Sequence, residues 1–103
     1  IWGCWDDPAI GAIGSLRSQG RDDVLVYGVN GNAQALENIK NGHMAATGWE
    51  DSYTEGFNMV KLLVDIKASG KDWQPKAVEV PAVLVTKENV DDFLKEHPEA
   101  SAK

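Results

Sequence analysis

The chain has 103 residues, of which 43% are hydrophobic and 25% charged, and its formal net charge is −6. This length and composition correspond to about one globular domain with a modest core, rather than to a disordered or fibrous protein. The ten lysines and arginines are scattered along the chain, which disfavours binding to nucleic acid or to an anionic membrane surface, and no apolar run reaches the roughly 18 to 20 residues of a membrane span.

The chain opens with a predicted strand and helix. The apolar stretch IWGCW, residues 1–5, predicts a short buried strand, and because the chain starts inside it without Met we expect a piece of a longer protein. Asp7 is expected to cap a helix that has Pro8 at its first position and ends at Gly20. Cys4 has no cysteine to pair with, and we expect it to be a small buried apolar residue.

Two more strands are predicted at residues 24–29 and 44–49, with a helix at residues 33–41 between them. The run VLVYGV is apolar throughout, as in a strand covered on both faces, and the helix has Leu36 and Ile39 on its inward side. Three strands with two intervening helices form two consecutive βαβ units, which predict a parallel sheet with right-handed crossovers.

The longest predicted helix covers residues 53–69 and ends at Gly70. Ser52 and Glu55 have the spacing of a capping box at its start, and an apolar face runs along its length. This periodicity indicates a helix that is covered along one side.

The last part of the chain predicts an extended segment and a short helix. Residues 77–85 form the extended segment, and Pro81 within it indicates an edge or a crossing point because proline cannot donate to a strand ladder. Thr86 is expected to cap a helix that Pro98 stops, and the tail is expected to fray.

Polar and aromatic residues follow each of the first three predicted strands. In open parallel sheets, ligands bind beyond the carboxyl ends of the strands. The residues at these ends are Trp5, Asp6 and Asp7, then Asn30, Gly31 and Asn32, then Trp49, Glu50 and Asp51. Carboxylates accept from hydroxyls, amides donate and accept, and an indole packs on the C–H side of a ring, so the mixture suits a polyhydroxylated ligand. A structural interpretation stays open at each position, since Asp caps helices, Asn occupies turns and Trp fills cores.

We also consider the same residues as a phosphate site, a glycosidase site and a cation site. The turn GVNGN matches neither phosphate-loop pattern and contains no Lys or Arg, which disfavours a phosphate site. Asp6 and Glu50 form a candidate carboxylate pair for glycosidic cleavage, and with Asp7 a candidate site for a hard cation, but without the spacing of an EF-hand. Because no nucleophile–base motif or zinc-ligand spacing is present, we expect no enzyme, no metal and no cofactor.

Four stretches of the chain resemble a known family. They are WDDPAIGAIGSLRSQG, VLVYGVNGNAQALENIKNGHMAAT, YTEGFNMVKLLVDIKASGK and VLVTKENVDDF, in order over about residues 1–94. Together they resemble the C-terminal portion of the periplasmic sugar-binding proteins of ABC transporters, the ribose-binding-like group of type I solute-binding proteins. The resemblance implies an α/β fold with a parallel-sheet, Rossmann-like three-layer lobe, present here as a fragment.

The resemblance also implies a function. The chain would belong to the substrate-binding component of an ABC transporter, which binds a sugar or polyol reversibly between two lobes and presents it to a membrane permease. Carried over position by position, the family's ligand-binding residues fall on Trp5 with Asp6, Asn30 and Glu50. Trp5 replaces the usual Asn and Glu50 the usual amide, which points away from ribose to another sugar, a polyol or a ligand with a positive group. The implied location is the periplasm, or a lipid-anchored extracellular position in a Gram-positive source.

The resemblance implies a division of the chain between two lobes. Residues 1–50 would be part of the C-terminal lobe, residues 51–79 a hinge crossing with a helix of the N-terminal lobe, and residues 80–103 a returning hinge strand with the C-terminal helix and tail. Without most of the N-terminal lobe, the helix at 53–69 would expose its apolar stripe, so we expect the isolated chain to self-associate or to be one piece of a larger complex.

A second class of protein resembles the same fold. The effector-binding core of a LacI-type repressor also binds small sugars, and a repressor carries a basic helix-turn-helix segment upstream. The stretches VTKENVDDF and GWEDSYTEG look more like the transport proteins. A sugar-processing enzyme is a third class, which turnover of candidate ligands would identify.

Overall fold

The structure, a computed structural model, describes residues 1–101. Its contacts divide the chain into two units, of which the first comprises residues 1–50 and the stretch from Val83 onward, and the second residues 51–82. The first unit contains all four of the predicted ligand-binding residues.

The first unit is built on a three-stranded sheet in the order β1–β2–β3. The strands are β1 Tyr27–Asn30, β2 Ala46–Trp49 and β3 Val83–Thr86. β1 and β2 are parallel, which confirms the parallel pairing predicted for this part of the chain. β3 runs antiparallel to β2, so the sheet as a whole is mixed, and the α/β fold class is confirmed.

The predicted first strand is reduced to a single parallel bridge between Trp2 and Tyr27. Its expected burial is wrong, because Ile1, Trp2 and Trp5 are all more than half exposed, and Cys4 is exposed as well. The segment lies along the outer edge of β1, where Gly3 N–H donates to the Tyr27 carbonyl at 2.8 Å and no described strand lies beyond it.

Helices α1 Asp6–Ser18 and α2 Ala33–Lys40 lie in the first unit, as does a later helix, α4 Val90–Glu96. The prediction of Asp7 as the cap of α1 is wrong, since the helix begins at Asp6 and the N-cap position is Trp5, whose side chain makes no capping bond. The helix predicted at 33–41 is confirmed, with Leu36 and Ile39 buried.

One face of the sheet carries the core. Side chains alternate between the two faces of a strand, and Val26, Trp49 and Val85 belong to one buried cluster with residues of α1, α2 and α4. Leu25 and Leu84, which alternate with them, are each 64% exposed. Among residues 1–101, helices of the first unit thus cover one face, and the expectation that residues 24–29 are covered on both faces is wrong.

The second unit consists of helix α3 Ser52–Ser69, a short 3-10 turn and an irregular segment. The predicted capping box of Ser52 and Glu55 is wrong. The N-cap is Asp51, whose carboxylate accepts from the Thr54 backbone N–H at 3.0 Å and from its hydroxyl at 2.6 Å. Within residues 1–101, no helix has the length and apolar character needed to cross a lipid bilayer.

The apolar stripe of α3 lies on the surface. Phe57, Val60, Leu63 and Val64 are between 59% and 66% exposed. The expectation that this stripe is uncovered in the chain is confirmed.

The C-terminal part of the chain differs from its prediction at the start of the strand and at the cap of the helix. Of the predicted extended segment, strand β3 begins only at Val83, two residues after Pro81. Thr86 does not cap α4. The N-cap position is Asn89, whose side-chain oxygen accepts from the Thr86 backbone N–H at 2.8 Å. Residues Pro98–Ser101 form a 3-10 turn after the helix, and the last two residues of the predicted frayed tail lie outside the described residues.

Two glycines in neighbouring strands provide a test of the packing under α1. A Cβ atom added at Gly28 would lie 2.3 Å from Asp6 Oδ1 and 2.8 Å from Met44 Cε, whereas one at Gly48 would meet nothing within 4 Å. We expect Gly28→Ala to lower the free energy of unfolding by about 1–3 kcal/mol through overpacking, and Gly48→Ala to leave it unchanged or slightly higher. Urea denaturation of the two variants measures this, and equal stabilities would contradict the close packing at Gly28.

Candidate functional site

The centre of the site is the buried carboxylate of Asp6, the first residue of α1. Its side chain is 0% exposed. Oδ1 accepts from the Thr47 hydroxyl at 2.7 Å, and Oδ2 accepts from the Asn32 backbone N–H at 2.8 Å. One side chain therefore joins the start of α1 to β2 and to the turn between β1 and α2.

Burial raises the pKa of Asp6 above its usual value of 3.8, because the charged form loses its hydration. Hydrogen bonds from Thr47 and from the backbone of Asn32 and Gly31 offset part of this effect, and the neighbouring charge of Asp7 adds to it. Because the carboxylate is enclosed, direct ligand contact by Asp6 stays a prediction, and the contacts it makes here are with the protein.

The turn after β1 has an unusual backbone. Asn30 has a φ of +106° and Gly31 a φ of +71°. A Cβ atom at Gly31 would lie 2.6 Å from Trp49 Cδ1, so the turn presses directly on β2. On its other side Asn32 caps α2 by accepting from the Ala35 N–H at 2.8 Å. The turn is consequently held from both flanks, as expected if it positions Asn30.

The structure brings Asn30 and Glu50 together. The Asn30 Nδ2 group donates to Glu50 Oε2 at 2.9 Å, and the Glu50 backbone N–H donates to the Asn30 carbonyl at 3.2 Å. Asn30 is exposed and Glu50 half-buried, so both are open to solvent at the carboxyl ends of β1 and β2. Trp5, directly before Asp6, is 51% exposed.

An aromatic cluster that the sequence did not predict supports the turn from behind. Trp49 is 9% exposed and packs edge-on against Phe93, with ring centroids 5.3 Å apart, and lies 4.6 Å from the His97 ring. The structural interpretation of Trp49 as core is the correct one. No local pattern links residues 93–97 to residue 49, whereas Thr47, a polar residue within a predicted apolar strand, was a visible signal for the contact with Asp6.

The arrangement argues against an anion cradle. At the start of α2, where a phosphate would need backbone N–H groups, that of Asn32 is bonded to the Asp6 carboxylate and that of Ala35 to the Asn32 side chain. Metal binding gains no support either, because residues 1–101 contain no cluster of three or more His, Cys, Asp or Glu side chains placed to hold an ion. Of the predicted ligand-binding residues, Asn30, Glu50 and Trp5 are accessible to solvent, and their contact with a ligand stays a prediction.

Residues 1–72 match the profile of the periplasmic binding protein domain family. The match covers more than half of the chain and includes Trp5, Asp6, Asn30 and Glu50. The chain belongs to this family.

Individual periplasmic binding proteins are similar over most of the chain. The D-galactose/methyl-galactoside binding periplasmic protein of Haemophilus influenzae is 32% identical over 97 residues, which cover 87% of this chain and 29% of the relative. The Caulobacter myo-inositol binding protein, solved with myo-inositol bound, is 30% identical with a TM-score of 0.75 over 89% of this chain and 31% of that one. An ABC transporter solute binding protein from Agrobacterium vitis, solved with allitol, is 30% identical with a TM-score of 0.81 over 93% of this chain and 33% of that one. The chain thus spans about a third of the length of these relatives.

The raised pKa of Asp6 predicts a specific dependence of stability on pH. A folded-state pKa above the unfolded value means that the folded state binds the proton more tightly, so this group's contribution to stability is fully present below pH 3.8 and declines as pH rises through the raised pKa. We therefore expect the difference in free energy of unfolding between the wild type and Asp6→Asn to fall as the pH rises from 3.8 through the raised pKa, and to stay constant at higher pH. Urea denaturation between about pH 3 and 7 measures the difference.

Asp92→Asn is the matched control. The Lys95 ammonium lowers the pKa of Asp92, so its contribution to stability declines as pH falls, the opposite direction. A wild-type minus Asp6→Asn difference that does not change with pH would contradict the burial effect.

Proposed function

We propose that the chain is part of the periplasmic substrate-binding component of an ABC transporter for a sugar or polyol. The observation that carries this proposal is the Asn30–Glu50 pair, which lies open at the carboxyl ends of two parallel strands on a turn that Asp6 and Trp49 hold. This is the edge at which open α/β sheets bind their ligands.

The relatives support the same class of ligand. The Haemophilus influenzae protein is named for D-galactose and methyl-galactoside, and the two solved structures contain myo-inositol and allitol. All are uncharged polyhydroxylated compounds, whose hydroxyls match carboxylate and amide oxygens in hydrogen bonding. No catalytic step is needed for this function, and we propose reversible binding.

Each site residue has a separate role in the proposal. Glu50 accepts hydrogen bonds from ligand hydroxyls with its free lone pairs, and Asn30 contributes its amide oxygen and its second N–H. Trp5 packs its indole on the C–H side of the ligand. Asp6 keeps the Asn30 backbone in its positive-φ conformation through its bond to the turn, and direct contact of its carboxylate with the ligand stays a prediction.

The remainder of the binding component lies outside this chain in the proposal. Residues 1–50 belong to one lobe, residues 51–79 cross to the other with helix α3, and residues 80–103 return, so the ligand is enclosed between two lobes. The closed form presents its ligand to a membrane permease.

Binding by alanine variants tests the site. In the two-lobed protein that contains this chain, we expect Asn30→Ala and Glu50→Ala each to weaken binding of the cognate polyol by about 10- to 100-fold. Glu50→Ala removes the charged acceptor of the ligand hydroxyls, and Asn30→Ala removes the amide that bonds to both the ligand and Glu50. Trp5→Ala is expected to weaken it by about 10-fold through lost packing. Calorimetric titration with D-galactose, myo-inositol and allitol measures these changes.

Gln19→Ala is the control, since Gln19 is exposed and follows the last residue of α1, at the opposite end of that helix from Asp6. Unchanged affinity in all three site variants would remove the proposed site.

Self-association of the isolated chain is a separate proposal, which rests on the exposed stripe of α3. We expect the 103-residue chain to sediment as a dimer or larger species, and Leu63→Lys to shift it toward the monomer because a lysine would be buried in the contact. Gln74→Lys adds the same charge at an exposed position outside the helix. A wild-type chain that is monomeric and binds no apolar dye would overturn this proposal.

A further inference from the structure

We propose that the Asn30–Glu50 pair makes the site discriminate by charge, so that it accepts uncharged polyhydroxylated ligands and rejects the corresponding sugar acids and sugar phosphates. This inference rests on the proposed function and specifies the ligand class of the same site. It is based on the hydrogen-bond donors near Asn30, several of which are already bonded, and on the negative charges of the nearby carboxylates.

Several hydrogen-bond donors near Asn30 are already occupied within the protein. The Asn32 N–H is bonded to the Asp6 carboxylate, the Glu50 N–H to the Asn30 carbonyl at 3.2 Å, and one N–H of the Asn30 amide to Glu50 Oε2 at 2.9 Å. An anionic ligand group reaching Asn30 would therefore find one amide N–H beside several acceptor oxygens.

The charges around the pair are also of one sign. Glu50 bonds directly to Asn30, and Asp7 bonds to the side chain of Asn32 at 3.2 Å. Within residues 1–101, neither carboxylate forms an ion pair with a Lys or Arg side chain. Their charge is left uncompensated by this chain, and a ligand carboxylate or phosphate would lie next to it.

An uncharged ligand hydroxyl is attracted by the same carboxylates that repel an anionic group. It can donate to Glu50 or to the Asn30 amide oxygen, and hydrogen bonds to an ionised acceptor are about twice as strong as those between neutral groups. Like charges placed together repel each other, so the discrimination comes from repulsion of the charged ligand as well as attraction of the uncharged one.

The test compares matched ligand pairs in the two-lobed protein that contains this chain. Calorimetric titrations use D-galactose against D-galacturonate, and myo-inositol against a myo-inositol monophosphate. We expect the neutral member of the binding pair to bind at least about 100-fold more tightly than its acid. Glu50→Gln removes the charge, keeps an oxygen to accept from Asn30 and adds an N–H donor, so this ratio is expected to fall by about 10-fold or more.

Two further variants complete the design. Asp7→Asn is expected to lower the ratio less than Glu50→Gln, because Asp7 does not bond to Asn30. Glu96→Gln changes the net charge equally at an exposed position of α4 and is expected to leave the ratio unchanged.

The outcomes separate the two proposals. If no neutral sugar or polyol binds, the proposed function itself fails. If a neutral ligand binds but its acid binds equally well, or Glu50→Gln leaves the ratio where it was, charge discrimination by this pair is overturned and the proposed function stands. An equal effect of Glu96→Gln would assign the discrimination to net charge and would likewise overturn the role of Glu50.

Discussion

The bidentate use of the Asp6 carboxylate is the interaction on which the first unit depends. One oxygen accepts from Thr47 in β2 and the other from the backbone of the turn after β1, so a helix, a strand and a turn meet at one group. The burial is unfavourable for the charge, as the raised pKa of Asp6 shows, and hydrogen bonds from Thr47, Asn32 and Gly31 offset part of that cost. A glycine is required at position 28 because Asp6 Oδ1 occupies the space of its Cβ.

The turn that displays Asn30 is fixed by two different kinds of force. On one flank it is hydrogen bonded to Asp6 and caps α2 through Asn32. On the other it presses against Trp49, which is itself packed by Phe93 and approached by His97. A positive-φ asparagine is strained in isolation, and contacts on both flanks keep it in place. For a binding protein this has a clear advantage, because a side chain that is already ordered loses less entropy when ligand arrives.

Large apolar surfaces remain exposed in both units. In the first unit they lie on the sheet face that carries Leu25 and Leu84 and along the edge at Trp2, and in the second they form the stripe of α3. Exposed apolar area of this kind marks surfaces that pack against other parts of a protein or against a partner. It agrees with a chain that covers 29% to 33% of the length of its relatives.

The sequence by itself determined the elements whose signals are local. Hydrophobic periodicity located α2 and α3 to within a few residues, and the ends of two apolar runs located Asn30 and Glu50. Tertiary structure decided whatever depends on residues distant in the chain: the inward position of Asp6, whose partner Thr47 is 41 residues away, the burial of Trp49 under Phe93, and the antiparallel direction of β3. A carboxylate after a strand has the same local sequence whether it caps a helix, binds a ligand or joins two elements. Only the groups that folding brings within hydrogen-bond distance select among these roles, because the free energy of a buried charge is set by its partners.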